Sequence, residues 1–302
     1  MRENRQRPKR NGAFVFRPSF LGRCASRIVG VRRGILLALV ALAGNGESLV
    51  QSAPGQAARN QFPFSDYLLA PVRVHLLSAK DSPAIQTTLV EKDITRILEK
   101  MNGVWAQAGL HFYLESLVRE EANDQEVHIR GGEHADRLRL LELRPSQSKA
   151  TNLFHIYYVK EMPVNGICFP EAIFVKDTAS LRKVAGGIDE PLPRVSSHEL
   201  GHAFGLPHRQ DTTNLMASGT TGTWLNAAEI YQARTAAREF DRIEPAPDLL
   251  KRANALFRAN QMKEAATLYA RLATISLSAA QVELAKKRMV QAARTNSNST
   301  TK

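Results

Sequence analysis

Eleven residues at positions 198–208, HELGHAFGLPH, hold a set of side chains able to do chemistry in this 302-residue chain. Residues four apart on a helix lie one turn apart on one face, so His198 and His202 can aim imidazole nitrogens at a single ion. Gly205 accepts the positive φ that ends a helix and reverses the chain, and Pro207 keeps the helix from running on. The reversal returns His208 as a third ligand. Three neutral imidazoles favour one Zn2+ ion and leave a fourth tetrahedral position open to water, the arrangement of catalytic rather than structural zinc. Zinc brings the pKa of such a water to about 7 and polarises a carbonyl. Glu199 is then the general base that takes the water's proton and passes it to a departing amine.

This run resembles the metzincin family of zinc endopeptidases, whose long motif is H-E-x-x-H-x-x-G-x-x-H followed by a methionine-containing turn. His198, Glu199, His202, Gly205 and His208 fill its fixed positions, and NLMASG at 214–219 is similar to the Met-turn. The resemblance implies that Met216 forms an apolar floor beneath the zinc ligands. It also implies an α+β fold: a twisted five-stranded mixed sheet, two long helices with the ligands on the second, and a Met-turn subdomain. An antiparallel edge strand at 165–170 would line the cleft and pair with polypeptide substrate in extended conformation. The resemblance covers roughly residues 70–242, and only 198–219 is specific residue by residue.

Some positions depart from the family or stay open. Arg209, after the third histidine, is not the residue expected of the best-known subgroups, so the subfamily is unassigned. The turn holds no tyrosine, and Tyr231 downstream is either a helper or a packing residue. Trp224, after the Gly/Thr-rich stretch 219–223, is either a wall of the specificity pocket or a core contact. Latency in the family often comes from a Cys or Asp placed on the zinc. Cys168 reads instead as a small apolar strand residue, and Asp66 as a surface-loop residue. His75, His111, His128, His134 and His155 have no ligand spacing among them; His75 and His155 read as core or sheet-face residues.

The elements that must position the site can be traced from periodicity. Residues 72–77 alternate as a strand, and TTLVE at 87–91 offers Thr88 and Glu91 as a capping box. Ile94, Ile97, Leu98, Met101, Val104 and Trp105 then recur at helical spacing, with Gly109 at the stop. Strands follow at 110–117, 153–159, 166–169 and 172–175, with a short helix at 135–143 and a second long helix from about 195. Pro245 and Pro247 mark a linker. Beyond it, 248–293 has helical periodicity and resembles a tetratricopeptide-type pair plus a third helix, which a lone unit must pack against something else. Residues 294–302 read as a disordered tail.

The net charge of +12 suggests nucleic acid until it is mapped. Residues 1–33 carry ten Lys/Arg against one Glu, and the rest of the chain is nearly balanced. The basic stretch ends at Arg32-Arg33, an apolar run of about ten residues follows, and cleavage is expected after Ala43 or later, near Ala53 or Ala58, a secretory pattern too short to span a membrane. Residues 1–43 are therefore an export segment, 44–69 a linker or short pro-segment, and 70–242 the catalytic domain. The expected protein is an exported zinc-dependent endopeptidase with no nucleic-acid partner and no stable membrane span. The rival is a catalytically weak zincin scaffold acting as an interaction protein through its C-terminal helices.

Overall fold

The computed structural model describes residues 62–123, 138–145 and 152–299, with side chains to residue 295. The export segment, His128, His134 and the end of the C-terminal tail lie outside the described residues.

Strand β1 (Leu68–Ser78) is the axis of the sheet, with parallel neighbours β2 (Leu110–Glu121) on one side and β3 (Phe154–Val159) on the other. Strand β5 (Ala172–Lys176) pairs in parallel with β3, and β4 (Gly166–Phe169) pairs antiparallel with β5 as the edge. These five form the mixed sheet expected from the sequence, in the order β2-β1-β3-β5-β4. β1 begins four residues earlier than the alternation predicts, and it contains Pro71. The Leu68 N–H donates to Gly109 beside β2 (2.9 Å), so residue 71, three positions on, turns its nitrogen to the opposite side. There β3 pairs only from Val72, and the two-residue strand β6 (Glu244–Pro245) pairs only with Leu68 and Leu69. The proline falls in the gap, where no donor is demanded. The expected linker at Pro245 is thus part of the sheet, and Pro247 sits in the first turn of the next helix, where it is tolerated.

Helix α1 (Glu91–Trp105) buries Ile94, Ile97, Leu98, Met101, Val104 and Trp105, the stripe read from periodicity. Its cap is a correction. Val90, not Thr88, is the N-cap; its N–H donates to Asp93 Oδ2 (3.1 Å), while the Thr88 N–H donates to Asp177 Oδ2 (2.9 Å). The short helix expected at 135–143 is, among the described residues, a 3-10 turn at Arg139–Leu143. Helix α2 (Pro191–Ala203) starts earlier than expected, with prolines in its first turn, and α3 (Ala227–Glu239) follows the Met-turn region.

Strand residues alternate between two cores. Val72, Val74, Phe112, Phe154, Ile156, Ile173 and Val175 face α1 and α2. Leu77, Tyr157 and Phe174 face Leu140 and Leu143 on the other side. The sheet is buried on both faces, as parallel strands require. Three helices follow: α4 (Ala246–Arg258), α5 (Met262–Ala273) and α6 (Ala280–Ser299). The last of them corrects the expected tail, since 294–299 continue the helix, with Thr295 Oγ1 donating one turn back to the Gln291 carbonyl (3.0 Å). The three helices pack on Leu69 and Tyr113 of the sheet and on Phe64, so the lone helical unit buries its apolar face against the α+β core. No helix among the described residues is long and apolar enough to cross a membrane.

Candidate metal centre

Helix α2 carries His198 and His202 on one face, and its C-terminal end is fixed by packing. Phe204 is fully buried edge-on against Trp105 (5.5 Å between centroids) and Phe154 (5.7 Å). An anchor of that size contributes about 2–3 kcal/mol and sets where the helix stops. Gly205 then adopts φ +77°, and the Leu206 N–H reaches back to the Gly201 carbonyl (2.9 Å), closing the helix with a left-handed cap. Three residues on, His208 faces the two helical histidines.

The three imidazoles converge. His202 Nε2 lies 3.1 Å from His198 Nε2 and 3.2 Å from His208 Nε2. The opposite nitrogens of the helical pair are committed: His198 Nδ1–H donates to the Leu215 carbonyl and His202 Nδ1–H to the Leu206 carbonyl, both at 2.8 Å. Each ring is thereby fixed as the tautomer with a bare Nε2 lone pair, which is the ligand form. Burial holds His198 in its neutral form, with its pKa pushed down to about 3, and lowers that of His202 as well. Lone pairs facing one another this closely repel unless a cation stands among them. Tetrahedral zinc with Zn–N bonds near 2.05 Å separates its ligand nitrogens by about 3.3 Å, so the donor set fits that ion in type and spacing. His198 is buried and His208 exposed, which leaves the ion position open on one side. Among the described residues this is the one such cluster; neither Asp66 nor Cys168 joins it.

Glu199 is buried in the same helix face region, 5% exposed, beneath the edge strand. A β-carbon on Gly166, the first residue of β4, would stand 2.5 Å from Glu199 Oε1, so the strand backbone lies directly over the carboxyl. Burial pushes the Glu199 carboxyl up to about 8, opposed by the Arg194 guanidinium. A cation in the histidine cluster would favour the ionised form further.

Met216 is fully buried under helix α2; a β-carbon at Gly201 would meet its Sδ at 2.5 Å. The turn around it is tied down from two sides. Arg194, one helical turn before His198 and 2% exposed, donates to the carbonyls of Gly222 (3.1 Å), Asn214 (3.5 Å) and Ala217. Arg209 donates its backbone N–H to the Met216 carbonyl (2.9 Å) and its side chain to Glu229 on α3. Glu229, 1% exposed, also accepts from Asn214 Nδ2 (2.8 Å), and Asn214 Oδ1 accepts the Met216 N–H (2.6 Å). Arg194 and Glu229 escape sequence reasoning, because a lone arginine and a helix-cap glutamate look like surface residues. The one available signal is that Glu229 lies three residues after Asn226, as in a capping box.

The other expectations resolve as follows. Tyr231 is 73% exposed and Trp224 51% exposed, so neither is a core contact. Asp66 lies in a 3-10 turn (Phe64–Asp66) before β1. Cys168 is half-buried in β4, with its thiol pushed up to about 12 by burial and by Glu199. His75 and His155 are buried and bonded to each other (2.8 Å), with Glu120 on the far nitrogen of His75, a satisfied polar cluster among β1, β2 and β3.

No protein-family model and no curated protein matches the chain. Several solved structures are similar to it, three of which follow. Mirolysin in complex with a small compound is 12% identical, covers 59% of this chain and 94% of its own, and gives a TM-score of 0.40. Archaemetzincin from Methanopyrus kandleri is 15% identical over 59% of this chain and 99% of its own, with a TM-score of 0.38. Metalloproteinase-II from Bacteroides fragilis is 12% identical over 57% of this chain and 54% of its own, with a TM-score of 0.36. What carries the metal centre is the set of three imidazoles in this chain.

Proposed function

We propose that this chain is an exported zinc-dependent endopeptidase. One observation supports it above the rest: three imidazoles converge, with His202 Nε2 3.1 Å from His198 Nε2 and 3.2 Å from His208 Nε2, and a buried carboxyl stands one residue from the first of them. His198, His202 and His208 would hold one Zn2+, which when bound supplies a water acidified to about pKa 7 and a Lewis acid for the scissile carbonyl.

The remaining work falls to the chain. Glu199 takes the proton of the attacking water and delivers it to the amine nitrogen as the C–N bond breaks. Leu215 and Leu206 carbonyls keep both helical imidazoles in the ligand tautomer. The free edge of β4 offers backbone donors and acceptors to an extended polypeptide and so sets it across Glu199. Export rests on the N-terminal sequence: Arg32-Arg33, the apolar run and the small residues to Ala43.

Metal analysis of the purified protein is expected to give one zinc per chain, and a chelator to abolish cleavage of a peptide library. E199A should keep its zinc and lose cleavage by roughly 100- to 10,000-fold. Protein without stoichiometric zinc, or an E199A chain that still cuts, overturns the proposal. N-terminal sequencing of exported protein tests the leader separately, the expected start lying between Gly44 and Gln61.

A further inference from the structure

The last three helices carry a charge distribution that the metal centre does not use. Residues 246–299 contain nine Lys/Arg against three Asp/Glu. A groove of about 540 Å³ lies between α4 and α6 beside the turn before β1. Phe64, Pro247 and Leu250 give it an apolar floor, while Lys251, Arg258 and Arg288 supply its charge, and no carboxylate lines it.

The cations are positioned in two ways. Arg288 is held in place: its guanidinium donates to Asn254 Oδ1 and to Tyr269 Oη (3.2 Å) and stacks over Phe257. Lys251 and Arg258 are exposed on α4, two helical turns apart. The ion pairs of these helices, Arg252–Glu244 and Lys286–Glu283, leave all three aside. Cations with no counter-ion among the described residues, set around an apolar floor, are the complement of a ligand that is both acidic and partly apolar.

We infer that this groove binds an acidic segment of polypeptide. Seven residues of helix place Lys251 and Arg258 about 10 Å apart, which a polyproline-II chain, with three residues per turn and a rise of about 3.1 Å per residue, spans in one turn while returning residues i and i+3 to one face. Carboxylates three residues apart therefore reach both cations, and an intervening apolar side chain rests on Leu250 and Phe64. A nucleic-acid duplex needs a broad basic face rather than three cations around a small apolar floor, so peptide is the favoured class.

Fluorescence anisotropy on the full chain tests this, in the E199A background so that no cleavage intrudes. The probe is a short fluorescein-labelled peptide with glutamates three residues apart and leucines between them; its twin carries glutamine instead. The acidic peptide is expected to bind of order tenfold tighter than its twin, with affinity falling as salt rises. K251E/R258E should remove that preference, while K263E/K287E, an equal charge change on exposed lysines outside the groove, should leave it intact. If the charge reversal disturbs folding, as seen by circular dichroism, K251Q/R258Q reads the same effect. Equal binding of the two peptides, or equal damage from the control reversal, overturns the inference. So does tighter binding of a short oligonucleotide or of phosphatidylglycerol vesicles through Lys251 and Arg258.

Discussion

Gly166 and Glu199 touch: the first residue of the edge strand lies so near the buried carboxyl that a β-carbon on it would stand 2.5 Å from Oε1 and 2.8 Å from Cγ. The same β-carbon would meet Val195 at 2.6 Å, so helix α2 blocks retreat on the other side. The edge strand and the proposed general base are thus set by one contact, which only a glycine allows.

G166A should therefore act on catalysis more than on metal binding. Either the strand lifts or Glu199 swings off its position, and a 1 Å misplacement of a catalytic group costs about 100-fold. Kinetics on a cleavable peptide should show that fall in kcat, with zinc content unchanged. Wild-type kcat in G166A would show that the contact is slack.

Glu229 should influence zinc affinity without touching the ion. It holds Arg209, the neighbour of the third histidine, and Asn214, which fixes the Met216 turn. E229Q removes the charge from a fully buried ion-pair partner while nearly keeping its shape. Partners of metal ligands typically govern affinity by 10- to 100-fold, and one step further out we expect about tenfold. Competition against a chromophoric chelator measures it.

Arg194 should carry stability. R194M leaves the carbonyls of Gly222, Asn214 and Ala217 without their buried donor. The expected loss is about 2–4 kcal/mol, read from urea unfolding in excess zinc. R194K recovers part of it, because one ammonium cannot reach three carbonyls in fixed directions. An R194M chain as stable as the wild type would mean the turn holds itself.

Acid should loosen the attachment of the C-terminal helices. His111 on β2 is buried, its pKa pushed down to about 4 by burial, and its Nε2 meets Thr274 Oγ1 beyond the end of α5 (2.8 Å). Because the folded pKa lies below the unfolded value near 6.5, the unfolded chain binds more protons between the two. Stability is therefore full above pH 6.5 and is lost as pH falls toward 4, by about 2 kcal/mol at pH 5. Thermal melts at pH 7 and pH 5 should diverge for the wild type and diverge less for H111Q by the His111 share, the remainder belonging to groups such as His75 and His198, which burial also pushes down to about 3. Equal pH sensitivity in H111Q would assign the effect to other groups.

Much of this protein was legible in one dimension because the relevant physics is periodic. The i, i+4 spacing of His198 and His202, the stripe from Ile94 to Trp105, and Gly205 at the helix stop each state a local geometry that holds in the structure. Short-range rules place residues on a face or at a turn whatever the rest of the chain does.

What those rules leave open is which distant backbone will receive a side chain. That Leu215 and Leu206 carbonyls select the imidazole tautomers, that Arg194 grips the Met216 turn, that Glu229 receives Arg209, and that Pro71 falls between two partner strands all depend on packing. So does the conversion of an apparent proline linker into strand and helix. Local sequence fixes φ, ψ and periodicity; burial and hydrogen-bond partners arise when segments far apart in the chain close on one core, and only the tertiary structure decides them.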